Sequence, residues 1–235
     1  MAEDLTTLMR EVASAIRTKT GKSDLINPQD FAREIASIEG GGGSNQRVTY
    51  LRRTNSGYID TGVKGNNRNL SITARFAFKV LPTGYWNVIY AYENESSNAT
   101  RIICNGNKYI YGSLNSIASS SASVAQTLYK DVIYTVKLYP QSAISLTLSV
   151  NGASATTSRK AGNPIDENLI IFSESADNVD IELYSLEIMD NGVLIRDFFP
   201  HYKDGEFGLW DAVGNRFYGN SGAGTLGGEI INING

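Results

Sequence analysis

The stretch LSITARFAFKV, residues 70–80, constrains the fold more than any other feature. Leu70, Ile72, Ala74, Phe76, Phe78 and Val80 fall on one side of an extended chain, and Ser71, Thr73, Arg75 and Lys79 fall on the other. Period-two alternation over that length is a strand with one buried face. The pattern returns in AISLTLSV, where Ile144, Leu146, Leu148 and Val150 alternate with polar residues ahead of Asn151-Gly152. Asn-Gly between alternating runs is the strongest short signal for a two-residue hairpin. VTYLRR, YWNVIYAY, RIICNG, KYIYG, DVIYTVKLY, NLIIFS, VDIELYSLEIM and VLIRDFF add further strands, separated by turn pairs such as Asn191-Gly192 and Asp204-Gly205. Many short strands with no intervening helix predict an antiparallel two-sheet sandwich or a barrel, and a jelly-roll sandwich is the expected form. The serine-rich SLNSIASSSASVAQ, residues 113–126, predicts an exposed loop or a sheet edge.

The first 39 residues follow a different period. Leu5, Leu8, Met9, Val12 and Ile16 share one helical stripe, which ends near Thr20 ahead of Gly21. In NPQDFAREIASI, Asn27 is placed to cap a second helix, with Pro28 at its first position and Asp30 against its dipole. Phe31, Ile35 and Ile38 give that helix an apolar face. Two such helices bury too little surface to stand alone, so the segment is expected to dock on copies of itself or on another protein. Four glycines and a serine follow, and glycine loses the most backbone entropy on ordering. The sequence therefore divides into a helical docking leader (1–39), a glycine-rich linker (40–45) and a β-sandwich (46–235).

Charge and composition narrow the partners. The chain of 235 residues carries 21 Lys and Arg against 24 Asp and Glu, with no basic run, which argues against nucleic acid and anionic membrane. No apolar stretch is long enough to predict membrane insertion. Cys104 is the only cysteine and His201 the only histidine, so neither a disulfide nor a cysteine or multi-histidine metal site forms within one chain. His201, after Pro200, reads as a surface or turn residue without a catalytic role.

Catalytic constellations are sparse, and the chain is not expected to be an enzyme. A glycosidase on a sandwich needs two carboxylates flanking the scissile bond. Asp180 and Glu182 share a strand face, but a solvated outer face explains them. Binding residues are better represented. Trp86 and Tyr90 alternate on one strand, Tyr109 and Tyr111 on another, and Asn94, Asn87 and Asn107 lie nearby. Aromatic rings offer apolar faces to sugar C–H groups while amides bond the hydroxyls. The candidate ligand set is Trp86, Tyr90, Tyr109, Tyr111 and Asn94, against the alternative that these rings line the sandwich interior. Trp210 and Phe217 read as anchors at the sandwich end, and Arg196 and Asp197 as a cross-sheet pair.

SGYIDTGV (56–63) and IMDNGVLIRDFFPHYKDGEFGLWDAVGNRFYGNSGAGTL (188–226) resemble segments that open and close concanavalin A-like, or laminin-G-like, jelly-roll domains of bacteriophage tail and virion proteins. The leader AIRTKTGKSDLINPQDFAREIASI resembles those found on the same proteins, whereas residues 65–180 match only in strand pattern. The resemblance implies a protein made in the bacterial cytoplasm and displayed on the virion surface, in a tail or head fibre. Residues 1–39 would join it to other virion proteins, as a homo-oligomer with a trimer as the guess, and bacterial surface glycan would be the ligand. No cofactor is expected, though calcium in a loop, as in some relatives, stays open. The alternatives are a decoration or fibre protein with a structural role alone and, behind that, a glycoside hydrolase.

Overall fold

The computed structural model describes residues 12–14, 45–53, 56–94, 98–106, 108–117, 120–160, 165–172 and 180–230, the side chains of 92–94 and 117 excepted. Of the leader, only Val12–Ser14 are included, and they are helical. The remainder of the predicted helical hairpin and most of the glycine linker lie outside the described residues. Two units compose the chain, one of Met1–Asn45 with Lys203–Gly205 and one of Gln46–Tyr202 with Glu206–Gly235.

The second unit is an antiparallel jelly-roll sandwich. Its larger, ten-stranded sheet runs β10 (Ala153–Ser158), β9 (Ser145–Val150), β8 (Tyr134–Ser142), β3 (Leu70–Val80), β12 (Asp180–Asp190), β1 (Gln46–Arg53), β13 (Val193–Lys203), β14 (Glu206–Asp211) and β15 (Arg216–Tyr218). β16 (Leu226–Ile230) pairs with β1, and β12 also pairs with β13. The six-stranded sheet runs β2 (Ile59–Lys64), β11 (Asn168–Ile171), β4 (Tyr85–Asn94), β5 (Asn98–Asn105), β6 (Tyr109–Ile117) and β7 (Ala122–Ala125). The serine-rich segment thus supplies most of β6 and the edge strand β7, with Ser113, Ser116 and Ser120 buried rather than looped out.

The alternation read from the sequence holds through β3, whose Leu70, Ile72, Ala74, Phe76 and Phe78 are fully buried. It fails at two ends. Val80 is 41% exposed where β3 leaves the sheet, and Ile144 is 72% exposed because it lies in the turn before β9. Asn151-Gly152, Asn191-Gly192 and Asp204-Gly205 all adopt positive φ at both positions, between 48° and 95°. This is the turn whose twist matches paired strands, and asparagine, aspartate and glycine adopt it with least strain.

Between the sheets, Phe78 of β3 meets Trp86 of β4 edge-on at 6.3 Å, and Phe76 packs on Tyr134 at 6.4 Å. Gly112 marks a close approach of the sheets, since a Cβ there would stand 2.6 Å from Leu138 Cδ1 and 3.1 Å from Leu148 Cδ1. Cys104 is fully buried in this core, and burial pushes its thiol pKa far up, which keeps it protonated and unreactive.

The closing segment folds differently from its sequence reading. Trp210 and Phe217 pair across β14 and β15, half-buried, while Leu209 and Phe198 enter the core. His201 is not a surface residue. It is 7% exposed and packed by Trp210 at 5.4 Å, Phe199 at 5.9 Å and Phe217 at 6.3 Å. Gly208 lies within β14, where a Cβ would collide with the Tyr218 carbonyl and the Phe217 ring.

Arg196 does not pair with Asp197; its Nε stands 3.5 Å from Asp211 Oδ2. Asp211 is fully buried, and its Oδ1 accepts the backbone N–H groups of Asp197 at 3.0 Å and Val213 at 3.1 Å. Its carboxylate therefore ties the β14–β15 turn to β13. Asp211→Asn keeps an oxygen for those N–H groups but removes the charge facing Arg196, and is expected to cost about 1 kcal/mol of unfolding free energy, read from urea titration.

Candidate functional site

The outer face of the six-stranded sheet carries an exposed aromatic cluster. β5 pairs with β4 and β6 in a register that sets side chains in rows. Tyr85, Asn105 and Tyr109 form the first row, Asn87, Ile103 and Tyr111 the second, and Tyr90, Arg101 and Ser113 the third. Side chains paired across antiparallel strands point to the same face. The opposite face is the core, marked by Ile102, Cys104, Ile110 and Leu114.

Tyr111 sits between its two neighbours, with ring centroids 6.2 Å from Tyr85 and 6.0 Å from Tyr109. Tyr85 is 67% and Tyr109 40% exposed, whereas Tyr90 at the far row is 6% exposed and Ser113 fully buried. The face therefore passes from open at Tyr85 to closed at Ser113. Beneath the rings Ile103 supplies an apolar floor at 5% exposure.

Two polar atoms on this face have no hydrogen-bond partner among the described residues. Asn87 Oδ1 is buried with no donor, and Arg101 Nε is buried with no acceptor. Burial pulls the Arg101 guanidinium pKa below its ordinary value, opposed by the proximity of Tyr85. An aromatic rim above an apolar floor is what a small-ligand face requires.

The predicted set divides on this geometry. Tyr109 and Tyr111 share the outer face, as does Asn87. Trp86 does not share it. Asn87 pairs with Ile103 and Ile89 with Ile102, so Val88 is an extra residue that reverses the alternation along β4. Trp86, Val88, Ile89 and Ala91 consequently enter the core, while Tyr90 turns outward beside Arg101. Trp86 is 2% exposed, with the Arg53 guanidinium 5.3 Å from its ring centroid, and offers no face to a ligand. The side chain of Asn94 and the whole of Asn107 lie outside the described residues. Tyr85 and Arg101 were missed by sequence reasoning, although the alternation in RIIC sets Arg101 on the same side as Ile103.

The candidate catalytic carboxylates are compensated rather than poised. Asp180 accepts two bonds from Arg52, at 2.9 and 2.6 Å, and raises that guanidinium's pKa. Glu182 is 1% exposed, so its outer face is not solvated as the sequence suggested. It accepts the Tyr184 hydroxyl at 2.8 Å and faces Lys79 Nζ at 3.5 Å.

Burial, with the bond to Glu182, pushes the Tyr184 phenol up to about 12 from 10.0. The folded protein thus holds this proton over a range where the unfolded chain has released it. The tyrosine's contribution is complete below pH 10 and is lost as pH rises towards about 12. Urea midpoints of the parent protein should fall more steeply over that range than those of Tyr184→Phe.

Elsewhere, a cleft of about 420 Å³ is lined by Asp60, Gly62, Arg196, Arg216 and Tyr218. Its arginines are engaged, Arg196 by Asp211 and Arg216 over the Tyr218 ring at 5.1 Å. Among the described residues no group of three or more His, Cys, Asp or Glu is set to hold a metal ion, and no helix is long and apolar enough to cross a membrane.

No family model matches the chain, and no curated protein matches its sequence. Several solved structures align with part of the chain at low identity. One is described as a putative carbohydrate binding protein from Bacteroides ovatus ATCC 8483, with 13% identity over 78% of this chain and 60% of that one, at a TM-score of 0.48. Another is the Ruminococcus gnavus IT-sialidase CBM40 bound to alpha2,3 sialyllactose, with 10% identity over 60% of this chain and 88% of that one, at a TM-score of 0.42. A third, the botulinum neurotoxin serotype C1 binding domain, has 15% identity over 51% of this chain at a TM-score of 0.40, and the match spans 32% of its length.

Proposed function

We propose that the sandwich is a carbohydrate-binding module and that the outer face of its six-stranded sheet receives the glycan. The observation that carries this reading is the open cluster of Tyr85, Tyr109 and Tyr111 above Ile103. Tyrosines on a sheet surface expose both an apolar ring and a hydroxyl, which suits the alternating C–H and O–H faces of a sugar. The role is binding rather than hydrolysis, because Asp180 and Glu182 are held by Arg52, Lys79 and Tyr184.

The setting of the module follows from the leader and the resemblance. The proposed protein is displayed on a phage virion, joined to other virion proteins through residues 1–39, with bacterial surface glycan as the target. Oligomerisation through the leader would multiply a weak single-site affinity without new contacts. An array of bacterial surface polysaccharides, probed with the full chain with and without calcium, tests the reading. Reproducible binding is expected. Silence across the array under both conditions would overturn it in favour of a decoration or fibre protein, and release of reducing sugar would favour the hydrolase.

A further inference from the structure

Resting on the glycan reading, we infer that the ligand is acidic and that Arg101 receives a sugar carboxylate at the tyrosine face. Arg101 stands in the third row, between Tyr90 and Ser113 and one row from Tyr111 and Asn87. Among the described residues its side chain has neither an ion pair nor a hydrogen bond. Nε is shut away from solvent, while the side chain as a whole is partly exposed.

Other arginines of the sandwich show what compensation looks like here. Arg52 is held by the Asp180 carboxylate, and Arg159 donates to the carbonyls of Ala143, Arg68 and Ser142. A half-buried guanidinium with no counter-charge is costly to keep folded, because lost hydration is not replaced. An anion supplied from outside removes that cost. The planar fork of two terminal N–H groups matches a carboxylate bidentately. Tyr111 and Tyr85 then cover the ring's apolar side. The site would discriminate strongly, since a neutral sugar leaves the guanidinium unpaired.

The test sorts an array of capsular and O-antigen polysaccharides into carboxylated, sulfated and neutral members, and re-presents every carboxylated hit after methyl esterification. The full chain, Arg101→Gln and Arg101→Lys are compared, with thermal unfolding of each. Hits should be confined to carboxylated glycans, vanish on esterification and weaken as salt rises. Arg101→Gln should lower affinity at least tenfold while its unfolding temperature holds or increases, because it removes an uncompensated charge. Arg101→Lys should recover part of the affinity, keeping the charge without the fork. Neutral or sulfated hits alone, hits that survive esterification, or full affinity in Arg101→Gln would overturn the carboxylate assignment while leaving a glycan-binding module in place. No hits of any class would overturn both.

Discussion

Tyr111→Ala should abolish most glycan affinity while leaving the fold intact. The ring lies centrally in the cluster, 6.2 Å from Tyr85 and 6.0 Å from Tyr109, so its removal takes away its own contact and the lateral support of both neighbours. Truncating a central aromatic anchor costs about 2 kcal/mol of binding, or ~30-fold in Kd. The fold should persist because Tyr111 is only partly buried and points away from the core, which is filled by Ile110, Gly112 and Leu114 on the other side of the same strand. Isothermal titration against the strongest array hit, beside thermal unfolding of the same sample, separates the two effects. Unchanged affinity in a folded Tyr111→Ala protein would move the ligand off this face.

Trp86→Ala should give the reverse pattern, with its main effect on stability. Trp86 fills space between the sheets against Phe78, and the Arg53 guanidinium lies over its ring inside the sandwich. Deleting it leaves a cavity and strips an aromatic partner from a fully buried cation. Large-to-small changes of this kind cost about 4 kcal/mol, which lowers the unfolding temperature of a domain this size by ~10 °C. Trp86→Phe keeps an aromatic ring over Arg53 and should retain both the fold and the binding. Loss of affinity in Trp86→Phe at undiminished stability would return Trp86 to the ligand set.

The two substitutions act on a single local event in β4. YWNVIYAY reads as uninterrupted alternation, which places Trp86, Val88 and Tyr90 on one face. The extra residue at Val88 breaks that register, so Tyr90 crosses to the outside and Ile89 takes its place in the core. A bulge depends on how β4 meets β5, and the residues of β4 alone carry no mark of it. KYIYG has no bulge between Tyr109 and Tyr111, and its alternation survives into the structure.

What the sequence determined by itself was local: the period-two pattern of β3, the Asn-Gly and Asp-Gly turns, and the resulting antiparallel jelly-roll sandwich. These depend on backbone sterics and on the side chains of neighbouring residues. Tertiary structure decided everything that rests on distant partners. Asp211 became the tie between β13 and the β14–β15 turn, His201 was buried among three aromatic rings, and Glu182 was drawn under Lys79 and Tyr184. The binding face belongs to this second class. Tyr85, Arg101 and Tyr111 come from three strands, and only the pairing of β4, β5 and β6 sets them side by side, with no counter-charge for Arg101 among the described residues.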